Sequence, residues 1–213
     1  NMYRCTDCSR LACFGGDAGS APENCPMRDI AASDEIREEY MSSENNRFFV
    51  EAAKIEKEGY GQWNRVRETI EFCKRMGYKE IGLAFCLGLI KEAKTVQRIF
   101  ESQGLNVHSV ICKTGGNDKG TFGIPENMKL KEGQFEAACN PIGQARFLAD
   151  EKVDFIVVLG LCVGHDSLFY KYVAKYTDAF VTTLVSKDRA TGNNPCAAIY
   201  CAGGYFKDKF GEK

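Results

Sequence analysis

The sequence has almost no net charge and no long apolar run. Its 213 residues carry 28 lysines and arginines against 29 aspartates and glutamates, a formal net charge of -1. This balance gives no bulk field that would attract nucleic acid or an anionic membrane. No stretch approaches the ~20 apolar residues of a membrane span, and we expect no signal peptide. We therefore expect a cytoplasmic protein that binds neither nucleic acid nor membrane.

Histidine is also scarce, with two residues, whereas cysteine is abundant, with eleven. The cysteine count is odd, and the cytosol keeps thiols reduced, so a disulfide framework is not expected. Metal ligation or thiol chemistry becomes the default explanation for this composition. The oxygen-poor cytoplasm of an anaerobe would suit so many thiols best.

A change of composition near residue 32 predicts two parts. Residues 1–32 are short of aliphatic side chains and rich in Cys, Gly, Asp and Pro, so they cannot form a core of their own. The remaining residues, 33–213, are long enough for one domain with a real core. We see no internal repeat and no low-complexity segment in the chain. The sequence thus predicts a cysteine-rich extension followed by one larger domain.

The larger part alternates helices with apolar strands. Helical patterns run from Ser33 to about Lys57 and from about Trp63 to Met76. The predicted strands after them are 80–86, 105–112, 153–161, 179–186 and 196–201, and the predicted helices are 90–104, 141–151 and 167–176. Such alternation implies a Rossmann-like α/β fold, a mostly parallel sheet with helices on both faces. Residues 113–133 form a predicted loop whose length indicates function.

Four cysteines of the extension have the spacing of a metal site. They are Cys5, Cys8, Cys13 and Cys25, in the pattern C-x2-C-x4-C-x11-C. The two sulfurs of a C-x2-C turn can face one ion, and two more complete a tetrahedral set, as in zinc sites. Four thiolates equally suit a [4Fe–4S] cluster, and Cys25-Pro26 resembles the end of bacterial ferredoxin motifs. We expect a metal centre here, with iron–sulfur and structural zinc both open.

Four more cysteines are predicted at one edge of the sheet. Cys86 ends the first strand, Cys112 ends the second, and Cys162 follows the third. Cys139 precedes a helix whose N-terminus should lie along the same edge and would favour thiolate. We therefore expect these four sulfurs to converge around a metal cluster, a second [4Fe–4S], or an open cleft. The alternative is that each cysteine is a small buried hydrophobe.

The loops at this edge supply further candidate residues. His165 and Asp166 follow Cys162, and the imidazole can serve as a ligand, a support for a ligand, a proton carrier or a helix cap. Lys187 and Arg189 follow the fourth strand, where they would clamp an anionic substrate, balance cluster charge or form a solvated turn. We take His165 and Asp166 as catalytic candidates, and Asn140, Gly164, Lys187 and Arg189 as cofactor-binding candidates.

The other cysteines and the glycine-rich loop carry less information. Cys73 lies inside a helical pattern and is interpreted as packing, while Cys196 and Cys201 stay undecided. The loop KTGGNDKGT fits neither G-x-x-x-x-G-K-[ST] nor G-x-G-x-x-G, so nucleotide binding has little support.

Several separated motifs resemble a known family. They are CTDCSRLAC with NCP, LAFCLGL, VICK, CNPIGQA, LGLCVGHD and SKDRATGNNP. Together they resemble the bacterial and archaeal family called domain of unknown function 1847, and the resemblance spans almost the whole chain. It implies metal binding through the cysteines and no established reaction. Where this chain has Asn193, the family pattern has a histidine, so no imidazole role is carried over to that position.

Three functions are compatible with these features. The first is an iron–sulfur protein, an oxidoreductase or electron carrier, with a redox partner protein or a small anionic molecule as its partner. The second is a thiol enzyme with Cys162 as nucleophile, His165 as base and a structural zinc in the extension. The third is a non-enzymatic metal carrier or sensor. The oligomeric state is left open.

Overall fold

The computed structural model describes residues 3–211, which form two compact units that meet in sequence at Glu58 and Gly59. The predicted boundary after residue 32 stays a prediction. Within the described residues, no helix is both long and apolar enough to cross a membrane.

The first unit is helical. Its helices are α1 (Ala12–Gly15), α2 (Ile30–Met41) and α3 (Ser43–Gly59); one short 3-10 turn precedes α1, and two lie between α1 and α2. The side chain of Asp29 accepts a hydrogen bond from the backbone N–H of Ala32 at 3.1 Å, which satisfies a free donor and starts α2. Ser42 has a non-helical ψ of 144° and separates α2 from α3. The single helical segment predicted from Ser33 is therefore two helices, the first beginning three residues earlier.

The second unit is built on a parallel sheet. Its strands are β1 (Glu80–Phe85), β2 (Asn106–Ile111), β3 (Phe155–Leu159) and β4 (Phe180–Val185), in the order β2-β1-β3-β4. Its helices are α4 (Arg65–Met76), α5 (Ile90–Ser102), α6 (Pro141–Asp150), α7 (His165–Tyr176) and α8 (Pro195–Tyr200). Every strand pair is parallel. The predicted α/β class is confirmed, and the strand order reverses between β1 and β3.

Helices cover both faces of the sheet. Ile156 and Val158 of β3 are buried in one cluster with Leu148 of α6 and Phe169 of α7. Phe155 points to the other face, because neighbouring residues of a strand alternate, and its ring lies 5.8 Å from that of Phe72 in α4. Strand β3 is buried along its whole length, which explains its uninterrupted apolar sequence.

The predicted fifth strand is wrong. Residues 196–201 belong to α8 and its C-terminal cap, and Pro195 occupies the first helical turn. Proline is well suited to that position, because its fixed φ matches the helix and its missing N–H is not needed there. A short apolar run such as CAAIYC is compatible with either a strand or a helix, and the proline decides it. Within residues 3–211 the sheet has four strands.

The segment between β2 and α6 is held by its own ion pairs. Lys129, whose side chain is 4% exposed, contacts Asp118 at 2.8 Å and Glu126 at 2.5 Å. Lys119 contacts Glu136 at 2.6 Å, across an isolated antiparallel bridge between Asp118 and Ala137. The predicted loop therefore has a fixed shape, although its only helical parts within the described residues are 3-10 turns.

Candidate thiol site at the sheet edge

Three of the four strand-end cysteines form a row. The paired ends of β1 and β2, Phe85 and Ile111, put the following residues, Cys86 and Cys112, side by side. The backbone N–H of Asn140 donates to the carbonyl of Cys112 at 2.7 Å and so brings Cys139 to the same edge. The thiol of Cys112 hydrogen-bonds with those of both Cys86 and Cys139. Cys112 is therefore the middle member of a row of three sulfurs, which we call the thiol row.

His165 lies at one end of the thiol row. It is the first residue of α7, and its imidazole hydrogen-bonds with Cys139. Gly164, with φ 83°, turns the chain from β3 into this helix, a conformation that glycine adopts without strain. The sequence suggested Cys162 as the partner of His165. In the structure the link to Cys162 is through the backbone, where the N–H of His165 donates to the Cys162 carbonyl at 3.0 Å.

The electrostatics of the thiol row favour two thiolates. Hydrogen bonds from Cys112 and then His165, together with the charge of Lys113, lower the pKa of Cys139 to about 3. The hydrogen bond from Cys112, the Gly88 backbone N–H and the charge of Lys187 lower the pKa of Cys86 to about 5.

The middle thiol and the imidazole shift the other way. The pKa of Cys112 is raised, because its proton is shared with Cys139 and Cys86 and because the thiol is buried. The pKa of His165 is raised by its hydrogen bond with Cys139. At neutral pH the row thus holds one thiol between two thiolates, and the raised pKa of His165 favours the imidazolium at its end.

Lys187 and Arg189 lie at the same edge, as the sequence predicted for residues after β4. A Cβ placed on Gly88 would lie 3.3 Å from Lys187 Nζ and 3.8 Å from Cys86 Sγ, so these two groups flank Gly88. Arg189 donates to the sulfur of Cys162 at 3.0 Å. Cys162 therefore contacts an arginine rather than joining the thiol row. The loop that carries Arg189 is tied by Asp188, whose carboxylate accepts the Thr191 N–H at 3.0 Å.

Asn140 has a structural part in the site. Its side chain accepts from the Gly143 N–H at 2.8 Å, which caps α6, and donates to the Thr114 carbonyl at 3.1 Å. A Cβ on Gly143 would lie 2.3 Å from the Asn140 amide, so any larger residue there would displace the Asn140 side chain from its capping position. Asn140 thus fixes the helix next to Cys139 through contacts with the chain itself. Asp166 likewise turns inward to its own helix, where it accepts from the Ser167 N–H at 2.7 Å.

Gln144 is a site residue that the sequence reasoning missed. It is fully buried in α6, and its amide nitrogen donates to the carbonyls of Val110 at 2.7 Å and Phe85 at 3.3 Å. Its Oε1 has no hydrogen-bond partner within residues 3–211. The one available signal was a polar residue at an apolar position of the helix. Gln144 ties α6 to the strand ends that carry Cys86 and Cys112.

The four cysteines of the extension lie at successive turns. Cys5 begins a 3-10 turn that Cys8 ends, Cys13 lies in α1, and Cys25 precedes the turn Pro26–Arg28. Across residues 3–211, neither these cysteines nor the thiol row is arranged with three or more donors around one metal position. Both metal centres stay predictions.

The three remaining cysteines differ in burial. Cys73 is fully buried, and burial raises the pKa of its thiol to about 12, which suits packing rather than reactivity. Cys196 and Cys201 are exposed on α8 and at its end.

The sequence profile of a family described as "Protein of unknown function (DUF1847)" matches residues 25–184. The chain belongs to this family. It is similar to an uncharacterised protein of Methanocaldococcus jannaschii, with 41% identity over 197 residues, 92% of this chain and 93% of the relative. No solved structure matches. The DUF1847 profile covers the thiol row, Cys162 and His165. Of the four cysteines of the extension, which we call the first cysteine set, it covers only Cys25.

Proposed function

We propose that this DUF1847 protein binds a metal centre through its sheet-edge thiols. The observation that carries the proposal is the thiol row, in which three sulfurs are linked by hydrogen bonds and the last of them, Cys139, is also hydrogen-bonded to the imidazole of His165. Thiolate is the form of cysteine that binds metals, and the pKa values of Cys86 and Cys139 lie below neutrality. The cations Lys113, Lys187 and Arg189 offset the negative charge of such a site.

The contacts within the row favour a single soft ion over a cluster at this edge. Hydrogen-bonded sulfurs lie closer together than the roughly 6 to 7 Å that separates the ligands of one [4Fe–4S] cluster. Tetrahedral bonds of ~2.3 Å to one ion would place two sulfurs roughly 3.8 Å apart. The donors are Cys86, Cys112, Cys139 and His165. These donors lie in a row and do not surround one point. Metal binding therefore has to bring the two ends of the row, Cys86 and His165, closer together, and it has to release the proton of Cys112.

The proposal extends to the first cysteine set. Cys5, Cys8, Cys13 and Cys25 have the spacing of a four-thiolate site, and a [4Fe–4S] cluster or a zinc ion is their expected occupant. An iron–sulfur cluster there would make the protein an electron carrier for a redox partner or a small anionic molecule. Zinc there would give a structural role and leave the thiol row as a carrier or sensor site.

Metal analysis of anaerobically purified protein tests the proposal. Wild-type protein should contain about two centres per chain, one for each cysteine set. Cys112→Ser should lose the centre at the sheet edge, and Cys8→Ser should lose the other. Cys196→Ser, which changes an exposed cysteine outside both sets, is the matched control and should keep both. Unchanged metal content in Cys112→Ser would contradict the sheet-edge site, and brown colour with visible absorbance would identify iron–sulfur.

A second candidate is a thiol enzyme, with Cys139 rather than Cys162 as its nucleophile. The hydrogen bond between Cys139 and His165 is the pairing of nucleophile and base that such chemistry uses. Cys139 also directly precedes the cap of α6, where the positive helix end favours thiolate. In metal-free protein at pH 6, iodoacetamide should modify Cys139 faster than Cys162. Faster modification of Cys162 would count against this candidate.

A further inference from the structure

We infer that the thiol row is an oxidation site for hydroperoxides, in which Cys112 forms a disulfide with Cys139 or Cys86. Cys112 is the resolving cysteine for both neighbours. This property concerns the metal-free thiols and does not depend on metal binding.

The backbone around Cys112 already has the spacing that a disulfide needs. Cys86 and Cys112 follow the paired residues Phe85 and Ile111, and the Cys112 N–H donates to the Phe85 carbonyl at 2.8 Å. Neighbouring strands lie about 4.8 Å apart. Disulfides join residues with Cα atoms about 4.4 to 6.8 Å apart. On its other side Cys112 is tied to Asn140, the residue after Cys139, by the 2.7 Å backbone bond.

The difference in exposure assigns the order of events. Cys86 and Cys139 are partly exposed, whereas Cys112 is 4% exposed. A hydroperoxide therefore reaches one of the outer sulfurs first, and the buried sulfur in contact with it reacts second. Two other cysteines of this unit have different surroundings and are not assigned a part in the disulfide. The sulfur of Cys162 contacts Arg189, and Cys73 is buried inside α4.

The chemistry balances with the hydroperoxide as the oxidant. In the first step an outer thiolate sulfur attacks the O–O bond and takes up the hydroxyl to become sulfenic acid, and the alkoxide leaves with a proton from solvent as the alcohol, or as water when the oxidant is hydrogen peroxide. In the second step the Cys112 sulfur attacks the sulfenic sulfur, the S–S bond forms, and the hydroxyl leaves with the Cys112 proton as water. The two electrons lost by the thiols reduce one peroxide. Because both outer sulfurs share Cys112, one disulfide forms and the third thiol stays reduced.

Peptide mapping of the full-length chain tests the inference. Protein treated with a chelator is oxidised with one equivalent of hydrogen peroxide, digested with trypsin without reduction and analysed by mass spectrometry. Trypsin puts the three cysteines on separate peptides, residues 80–91, 99–113 and 132–146. Most Cys112 should be joined to Cys139 or Cys86. Cys86→Ser should give only the link to Cys139, and Cys139→Ser only the link to Cys86.

The double variant Cys86→Ser with Cys139→Ser is decisive, because it keeps the buried Cys112 and removes both partners. Its Cys112 should stay reduced, whereas the control Cys196→Ser should behave as wild type. The inference is overturned if wild-type Cys112 stays reduced, if Cys86 and Cys139 join each other, or if Cys112 forms equal amounts of disulfide in the double variant. Metal content is measured on the untreated samples, so a protein that binds no metal but forms the Cys112 disulfide would refute only the proposed function.

Discussion

Replacing His165 with glutamine should raise the pKa of Cys139 without abolishing its thiolate. Hydrogen bonds to charged groups contribute about 1.5 to 3 kcal/mol, and about 1.36 kcal/mol corresponds to one pKa unit. Loss of the imidazole hydrogen bond should therefore raise the pKa of Cys139 from about 3 to roughly 4 to 5. The pKa of Cys139 should not rise further, because the hydrogen bond from Cys112 is the largest cause of its lowered pKa and remains in the variant.

The pH dependence of alkylation measures this change. In metal-free protein, the rate of Cys139 modification by iodoacetamide should rise with pH around the thiol pKa, and His165→Gln should move that midpoint upward. His108→Gln is the matched control, since His108 is the other histidine and contacts Glu80 at 2.7 Å and Glu151 at 3.1 Å. An identical midpoint in wild type and His165→Gln would refute the pairing with Cys139.

The pairing of Cys139 with His165 should also make the free energy of unfolding depend on pH. The contributions of the two residues change with pH in opposite directions. The pKa of Cys139 is lowered on folding, so its contribution is present above the ordinary thiol pKa of 9.0 and is lost as pH falls towards about 3. The pKa of His165 is raised, so its contribution is present below 6.5 and is lost as pH rises through the raised value. Between pH 3 and 9 the Cys139 contribution grows with pH, and just above pH 6.5 the loss from His165 offsets it. Urea unfolding should therefore show a steeper rise of stability with pH just above 6.5 in His165→Gln than in wild type.

Three further changes test the surroundings of the site. Gly88→Ala should push Lys187 away from Cys86 and raise the pKa of that thiol above about 5, measured by its alkylation between pH 4 and 8. Asp118→Asn should remove the ion pair between Asp118 and Lys129 and speed trypsin cleavage after Lys129, whereas wild-type protein should resist cleavage at that residue. Phe169→Ala should cost about 3 to 5 kcal/mol in urea unfolding, because the ring is fully buried between α7 and the sheet. A loss below about 1 kcal/mol would contradict that packing.

The sequence predicts the structure best where the position of a residue in the sheet determines its chemistry. The buried run Phe155–Leu159 predicts a central strand, and the cysteines that follow β1 and β2 must meet because parallel strands end at a common edge. Residues 196–201 were misassigned because six apolar positions fit both periodicities. The partner of His165 depends on how α6 and α7 pack on each other, which local sequence does not determine.

Gln144 shows a second limit of the same kind. Its two carbonyl partners lie 34 and 59 residues away in sequence, so only the folded sheet reveals why a glutamine is buried there. Charge gave a clearer signal, since Lys187 and Arg189 follow a strand and had to reach the same edge as Cys86 and Cys162. Ser42 separates α2 from α3 by a single non-helical residue, a break too short for the amphipathic pattern to register.

The way in which α6 is fastened to the sheet has a consequence for how this site can change. The spacing of the three sulfurs is set by main-chain bonds from Cys112 and Asn140 and by the amide of Gln144, none of which uses a thiol. Donor identity and donor position are therefore separable. Related sequences, or a protein engineer, could exchange cysteine for histidine or aspartate along the row and alter its choice of ion while the scaffold keeps its shape. The edge of the sheet therefore allows its donor side chains to be replaced one at a time without a change of backbone.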